Sequence, residues 1–389
     1  MTAVRPDPNV PLPGAPDPWA ASEMPAFRAR PPYVMTEMIA AEPALAERLI
    51  HRLDQGRALD RLADLVRRAA DARAPILTTG LGTSEHGAMG IARLINDALG
   101  LEPGREARAI PALEAVRRPP NAGVLIGISH EGGTQVTNEA LRAAGQGAAT
   151  SAVVTVSGRS PAAELADIVI TTEEQDRSWC HTVGYLSPLV VGTVLAARLA
   201  GTRVDALAVR AILDVGHDPH AAAAVAASLS DTDRILVVGS GIDHVTAREL
   251  ALKIAEGARL PADAHELETA RHGHLAAATR WTGLILVMTE AVSDGLLVER
   301  ATRLLEAARA LAVPAAAIVT DVAAQLVPDA LTPAGRIVLP HAGRIGGAAG
   351  PLLASAMALQ VLTERMARSR GVDPDTLGRE DPAQATAHA

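Results

Sequence analysis

The sequence predicts an α/β fold built from two tandem units, each a parallel β-sheet sandwiched between helices. Short apolar runs rich in β-branched residues alternate with longer amphipathic or alanine-rich stretches, which is the pattern of βαβ units. Residues 80–84 and 239–243 form two glycine-rich turns that each follow an apolar run and open a helical pattern, which indicates an internal duplication. With 389 residues, 48% of them hydrophobic, the chain is long enough for two cores.

The elements follow the same alternating order in both halves. In the first half we expect a helix over residues 88–98 and strands near 76–79, 107–110, 124–128, 151–156 and 168–171. Helices over 206–213 and 221–229 link the halves. In the second half we expect a closing helix over 350–370 and strands near 235–238, 260–263, 284–288, 315–319 and 337–339. The predicted organisation is therefore an N-terminal arm (1–34), a first domain (35–215), a second domain (216–370) and a C-terminal tail (371–389).

Composition narrows the class of protein. A net charge of −8 argues against a nucleic-acid partner, and charged residues interrupt every apolar stretch that could cross a membrane. The first 32 residues lack the basic and apolar regions of a signal peptide, and a single cysteine excludes internal disulfides. We therefore expect a cytoplasmic protein.

Lys253 is the only lysine among the 36 Lys and Arg residues of the chain. A lysine amine is compact, can lose its proton when buried and can attack a carbonyl, whereas arginine stays charged. Glu256 follows three residues later on the same face of a helical pattern, and His272 follows sixteen residues after that. The three residue types suit proton transfer, although the same spacing also suits a helix salt bridge with a capping histidine.

Three glycine-rich turns leave a strand and enter a helix, where backbone N–H groups can bind an anion. They are residues 80–84, 129–134 and 239–243, and each of them also suits plain tight packing. None is a P-loop, because no Gly-Lys-Ser/Thr follows.

Together these motifs resemble the tandem sugar isomerase (SIS) family, and most closely the isomerase portion of glucosamine-6-phosphate synthase and its deaminase and deglycase relatives. The likeness runs from about Met35 to the C-terminus. Lys253-Ile254-Ala255-Glu256 followed by His272-Gly273 matches the Lys-x-x-Glu and His-Gly of that family at its spacing. The resemblance implies two tandem SIS domains with a flavodoxin-like fold.

The resemblance also implies roles for the residues of this chain. His272 would help open the sugar ring from a second subunit of a homodimer, Glu256 would move a proton between C1 and C2, and Lys253 would assist. The turns would bind a sugar or sugar phosphate through Gly82, Thr83, Ser84, Ser129, His130, Glu131, Gly132 and Thr134. No cofactor is implied.

Three departures from the family pattern bear on the substrate. Glu131 stands where the family has a serine, so a carboxylate lies where a phosphate would bind, unless its side chain turns away. Thr182 is kept in the next loop, but His181 precedes it and approaches the sugar, unless the segment serves only packing. The tail has no lysine, which leaves Lys253 as the only amine for a Schiff base and Arg379 to cover the site.

Other functions stay open at this stage. We expect an isomerase acting alone or coupled to gain or loss of an amine, and we expect no glutaminase activity from this chain. A lyase that eliminates a group beta to the carbonyl, or a non-catalytic sugar sensor, are the alternatives. His272 and His274 are spaced so that they could clamp zinc, but residues 263–274 contain no His-Glu-x-x-His pattern and no cysteine stands nearby, so we expect no metal.

Overall fold

The computed structural model describes residues 7–16, 19, 23, 25–290, 295–341 and 345–387. Within these ranges the chain forms two parallel sheets with helices packed on both faces. The predicted tandem α/β architecture is therefore confirmed.

The first half opens with two helices and then alternates strands and helices. Strand β3 is buried along its whole length, as expected for an apolar run that helices cover on both faces. The elements are α1 (Val34–Gln55), α2 (Ala58–Asp71), β1 (Ile76–Thr79), α3 (Thr83–Leu99), β2 (Arg108–Ala109), α4 (Ala112–Arg117), β3 (Val124–Ile128), α5 (Gln135–Gln146), β4 (Thr150–Thr155), β5 (Ile168–Thr171) and α6 (Val183–Leu199).

Two linking helices lead into the second half, which repeats the alternation. The elements are α7 (Ala206–Gly216), α8 (Pro219–Ser228), β6 (Arg234–Val238), α9 (Asp243–Gly257), β7 (Ala262–His265), α10 (Leu267–Arg271), β8 (Thr282–Met288), α11 (Gly295–Ala310), β9 (Ala315–Thr320), α12 (Asp321–Leu326), β10 (Arg336–Leu339), α13 (Ala349–Arg370) and α14 (Pro382–Ala387). Short 3₁₀ turns cover His274–Ala277 and Asp329–Leu331.

The two sheets have the same topology. Among the described residues, the strand order is β2-β1-β3-β4-β5 in one sheet and β7-β6-β8-β9-β10 in the other, and every pairing is parallel. This is the 2-1-3-4-5 order of flavodoxin-like sheets, which bind ligands at the carboxyl ends of the strands. An internal duplication would produce this repetition.

One hydrophobic cluster runs through both halves. It includes Leu49 of α1, Ile126 of β3, Leu189 of α6, Ile254 of α9 and Leu359 of α13. Helix α13 packs against α1, α6 and α7 as well as α8 and α9. The proposed division at residues 215 and 216, which falls at the end of α7, therefore separates units that share a core.

The arm and the tail meet at the start of α1. The carboxylate of Asp375 in the tail accepts the backbone N–H groups of Val34 and Met35 at 2.6 and 2.8 Å. The backbone N–H of Arg28 in the arm donates to Asp373 at 2.7 Å. Among the described helices, none combines the length and the apolar character that a membrane span needs.

Candidate active site

Helix α9 carries a line of three charged side chains. Glu249, Lys253 and Glu256 are four and three residues apart, so they lie on one face of the helix. The amine of Lys253 lies 2.5 Å from the Glu256 carboxylate and 3.8 Å from that of Glu249. Lys253 and Glu249 are fully buried, and about a quarter of the Glu256 side chain is exposed. The only lysine of the chain is thus held between two carboxylates.

The surroundings keep this lysine charged. Burial alone would lower the pKa of Lys253, but the carboxylates of Glu256 and Glu249 outweigh burial and raise it above its usual value. The idea that burial lets this amine lose its proton is therefore not supported. A permanent ammonium group stabilises negative charge well and attacks carbonyls poorly.

Glu249 connects this line to the first half. Its carboxylate lies 2.6 Å from Nδ1 of His86, and it also interacts with the hydroxyl of Thr83. Burial would raise the pKa of Glu249, but Lys253, His86 and Thr83 together lower it. Sequence reasoning missed Glu249 and His86, although the position of Glu249 one helical turn before Lys253 was a usable signal.

The first predicted turn lies directly against α9. Gly82 has φ of +56°, a backbone conformation that favours glycine, and it is the residue directly before α3. A Cβ on Gly82 would lie 3.8 Å from the side chain of Leu252 in α9. Ser84 is partly buried in the first turn of α3. The turn and the charged line therefore face each other across the two halves.

The second predicted turn, residues 129–134, follows β3. The hydroxyl of Ser129 donates to the Thr134 hydroxyl at 3.3 Å, which closes the turn. Gly132 has φ of +73°, and a Cβ there would lie 2.2 Å from the hydroxyl oxygen of Ser160. The structure thus requires glycine at position 132.

His130 is buried, and the backbone fixes its orientation. Its Nε2 accepts the backbone N–H of Asp176 at 2.9 Å, so Nδ1 carries the proton of the neutral ring. Burial lowers the pKa of His130, and the ring stays neutral near pH 7. Asp176 also accepts the backbone N–H groups of Thr182 and Gly184 at 2.7 and 3.1 Å. Asp176, which sequence reasoning missed, therefore connects His130 to the backbone at Thr182 and Gly184.

His181 lies next to His130 and within electrostatic reach of Lys253. Its ring centre is 5.3 Å from that of His130. Burial lowers the pKa of His181 to about 3, with further lowering from His130 and Lys253. Next to it, the hydroxyl of Thr182 is buried and has no hydrogen-bond partner among the described residues. A neutral imidazole thus lies within electrostatic reach of the lysine.

The tail reaches the second turn through Arg379. Its guanidinium group lies over the ring of Trp179, 3.7 Å from the ring centre. Burial lowers the pKa of Arg379, while the nearby negative charge of Glu131 opposes that shift. The structure thus places Glu131 and Arg379 within electrostatic reach of each other.

His272 is separate from the lysine in this single chain. Its side chain is 70% exposed, and its Nε2 lies 3.4 Å from the carboxylate of Glu268. The chain therefore presents His272 at the surface after α10.

The third predicted turn, residues 239–243, is filled by the carboxylate of Glu290. The backbone N–H of Ile242 donates to the Glu290 carboxylate at 3.3 Å, and a Cβ on Gly241 would lie 2.4 Å from the same carboxylate. The carboxylate of Asp243 accepts the N–H groups of Thr289 and Glu290, and burial raises its pKa to about 6. This turn is not open to an external anion.

A cavity of about 460 Å³ lies elsewhere, at the carboxyl edge of the second sheet. Its lining includes Arg93, Asp97 and Thr320, and it includes no residue of the Lys253 cluster. Among the described residues, no group of three His, Cys, Asp or Glu side chains could hold a metal ion.

Comparisons with known proteins agree with this architecture. No protein-family model matches the chain. A 156-residue segment is 31% identical to the isomerizing glutamine–fructose-6-phosphate aminotransferase of Methanothermobacter thermautotrophicus, and the match covers 38% of this chain and 26% of that protein.

Solved structures match over nearly the whole chain. The C-terminal domain of glucosamine-fructose-6-phosphate aminotransferase from Francisella tularensis has a TM-score of 0.75 and 19% identity, and the match covers 90% of this chain and all of that one. Tagatose-6-phosphate ketose/aldose isomerase from Escherichia coli has a TM-score of 0.70 and 20% identity, with coverage of 92% and 98%. Glucosamine-6-phosphate deaminase from Thermotoga maritima has a TM-score of 0.60 and 18% identity, with coverage of 82% and 97%. The chain thus has the tandem SIS-domain fold of the phosphosugar isomerases that it resembles.

Proposed function

We propose that this protein interconverts the aldose and ketose forms of a hexose phosphate by moving a proton between C1 and C2 of the open-chain sugar. The observation that carries the proposal is the buried line of Glu249, Lys253 and Glu256, which faces the first-half turns. A carboxylate paired with a fixed ammonium group is what an enediol reaction requires.

Each group has a defined task. Glu256 takes the proton from the carbon next to the carbonyl, and the electron pair of that C–H bond moves onto the carbonyl oxygen to give an enediolate. The ammonium group of Lys253 stabilises that oxygen. The hydroxyl proton on the adjacent oxygen passes to the former carbonyl oxygen, the freed electron pair forms the new C=O bond, and Glu256 returns its proton to the neighbouring carbon, so protons and electrons balance without an oxidant. The raised pKa of Lys253 supports a cationic role over a Schiff base.

His272 acts in this proposal from the second subunit of a homodimer. Its 70% exposure and its position after α10 leave it available to a neighbouring copy. There it would donate a proton to the ring oxygen when the sugar opens.

The phosphate group binds at the first-half turns. Ser84 and Thr134 offer hydroxyl groups, and the turns offer backbone N–H groups. The charge of Arg379 near Glu131 supports a phosphorylated substrate, because an arginine offsets the repulsion between a carboxylate and a phosphate. The Escherichia coli and Thermotoga maritima proteins, whose names state sugar-phosphate chemistry, support the same substrate class.

Incubation with four sugars in deuterated water tests the proposal. The panel is fructose 6-phosphate, glucosamine 6-phosphate and their unphosphorylated counterparts, with thermal stability measured in parallel. We expect a phosphosugar to raise the melting temperature and to exchange the hydrogen next to its carbonyl. Exchange with the neutral sugars alone would contradict the phosphate assignment, and no exchange with any of them would contradict the isomerase assignment.

A further inference from the structure

Two described parts of the N-terminal arm, residues 12–13 and Trp19, lie at loops that follow strands of the first sheet. The backbone N–H of Leu12 donates to the Glu174 carboxylate at 3.0 Å, and the N–H of Gln175 donates to the carbonyl of Pro13 at 3.1 Å. Arg48 of α1 holds the same carboxylate through two nitrogens, at 3.0 and 2.9 Å. The arm is thus fixed beside the segment that leads into Asp176 and His181.

Trp19, further along the arm, touches the turn at residues 129–134. A Cβ on Gly133 would lie 3.3 Å from Cη2 and 3.9 Å from Cζ2 of the indole. The indole Nε1 is buried and has no hydrogen-bond partner among the described residues. A buried N–H without a partner is energetically unfavourable, so an acceptor group of a ligand that reaches it would satisfy it.

A second tryptophan, Trp179, is linked to the same turn through Arg379. The guanidinium group of Arg379 lies over the ring of Trp179, and its charge interacts with Glu131. Glu131 precedes Gly133 by two residues in the turn. Aromatic residues make up only 2% of the chain, and it has three tryptophans. Two of the three tryptophans are therefore associated with this turn, whereas the buried core of the protein consists mainly of aliphatic side chains.

We propose that Trp19 determines substrate specificity at the sugar site. Its indole packs against the carbon face of a hexose phosphate in its ring form. The inference rests on the proposed function, because it takes the turn at 129–134 as the place where the sugar phosphate binds. A flat indole buries the apolar face of a sugar ring, and its N–H pairs with a hydroxyl group. The contact belongs to binding and not to proton transfer, so it acts on KM and leaves kcat unchanged.

Kinetics of exchange with fructose 6-phosphate test this assignment. We expect Trp19→Ala to raise KM about five- to ten-fold, with kcat within about two-fold of wild type. Trp19→Phe keeps a flat ring and should recover most of the affinity. Trp281→Ala is the matched control, because Trp281 is 47% exposed and lies just before the amino end of β8, opposite the carboxyl ends of the strands. An unchanged KM in Trp19→Ala would overturn the inference.

Fluorescence separates this inference from the proposed function. In the variant Trp179→Phe/Trp281→Phe, Trp19 is the only tryptophan, and fructose 6-phosphate should change its emission saturably, with inorganic phosphate as a second probe. Turnover by this same variant without an emission change would contradict the role of Trp19 and leave the isomerase assignment in place. An emission change without turnover by the wild type would contradict the isomerase assignment and support sugar binding at Trp19. If neither turnover nor an emission change is observed, both assignments are wrong.

Discussion

At the residue scale, the site is decided by how charges are paired around Lys253. Glu249 and Glu256 hold the ammonium group, and His86 holds the far side of Glu249. The pair Lys253 and Glu256 could be found in the sequence because their spacing places them on one helix face. His86 could not, because only the packing of α3 on α9 brings it to Glu249.

Replacing Lys253 should destabilise the protein. Lys253→Met leaves the Glu249 and Glu256 carboxylates without their cation, and we expect a loss of about 3–5 kcal/mol in the free energy of unfolding, measured in urea. Adding Glu249→Gln should recover part of that loss. The control Arg303→Met breaks an exposed ion pair with Glu299 and should cost less than about 1 kcal/mol. Equal losses in the two single variants would contradict the pairing described for Lys253.

Protonation of His181 should weaken the fold in acid. The pKa of His181 is about 3 in the folded chain against 6.5 as the ordinary value, so the unfolded chain binds more protons between these pH values. Stability from this group is complete above pH 6.5 and is lost as the pH falls towards 3. We expect His181→Asn to lose less unfolding free energy than wild type between pH 6.5 and 4. The exposed-site control His220→Asn should follow wild type, and a parallel course for His181→Asn would contradict burial of the neutral ring.

At the element scale, the sequence located most strands, because parallel strands buried on both faces read as unbroken apolar runs. Its errors are local. Helix α3 begins at Thr83 and not at residue 88, because Gly82 starts the helix directly after the turn. Strand β7 covers Ala262–His265 and not 260–263, because it is an edge strand with mixed polarity. The turn at 239–243 could not be judged from sequence, since Glu290 reaches it only in the fold.

The start of α1 depends on the tail. Asp375 accepts the N–H groups of Val34 and Met35, so it does the work of an N-cap from more than three hundred positions away. We expect Asp375→Ala to cost about 1–2 kcal/mol in urea unfolding. Asp381→Ala removes an exposed cap in the same tail and should change stability by less than about 0.5 kcal/mol. Similar small costs for both variants would show that Asp375 does not anchor α1.

At the scale of the whole molecule, two sheets of identical strand order share one core. The sequence predicted the duplication from the repeated turns, and the common order 2-1-3-4-5 agrees with it. It could not predict that α13 of the second half packs on α1, α6 and α7 of the first, because contacts between distant helices leave no periodic signal. That packing also brings α9 to the first-half turns and so assembles the candidate site.

The shared core predicts cooperative unfolding. Trp179 reports on the first half in Trp19→Phe/Trp281→Phe, and Trp281 reports on the second half in Trp19→Phe/Trp179→Phe. We expect the two urea transitions, followed by fluorescence, to have the same midpoint and slope. Two separate midpoints would mean that the halves unfold independently despite their common cluster.

The proposed proton transfer is tested most directly by the rate at which deuterium enters the carbon next to the carbonyl of fructose 6-phosphate, compared between matched carboxylate variants. Glu256→Gln removes the proposed base, whereas Glu299→Gln makes the same change in an exposed ion pair of α11. We expect Glu256→Gln to slow exchange at least about a hundred-fold while the protein stays folded, and Glu299→Gln to match wild type. Exchange at the wild-type rate in a folded Glu256→Gln protein would contradict the assignment of the proton transfer to α9.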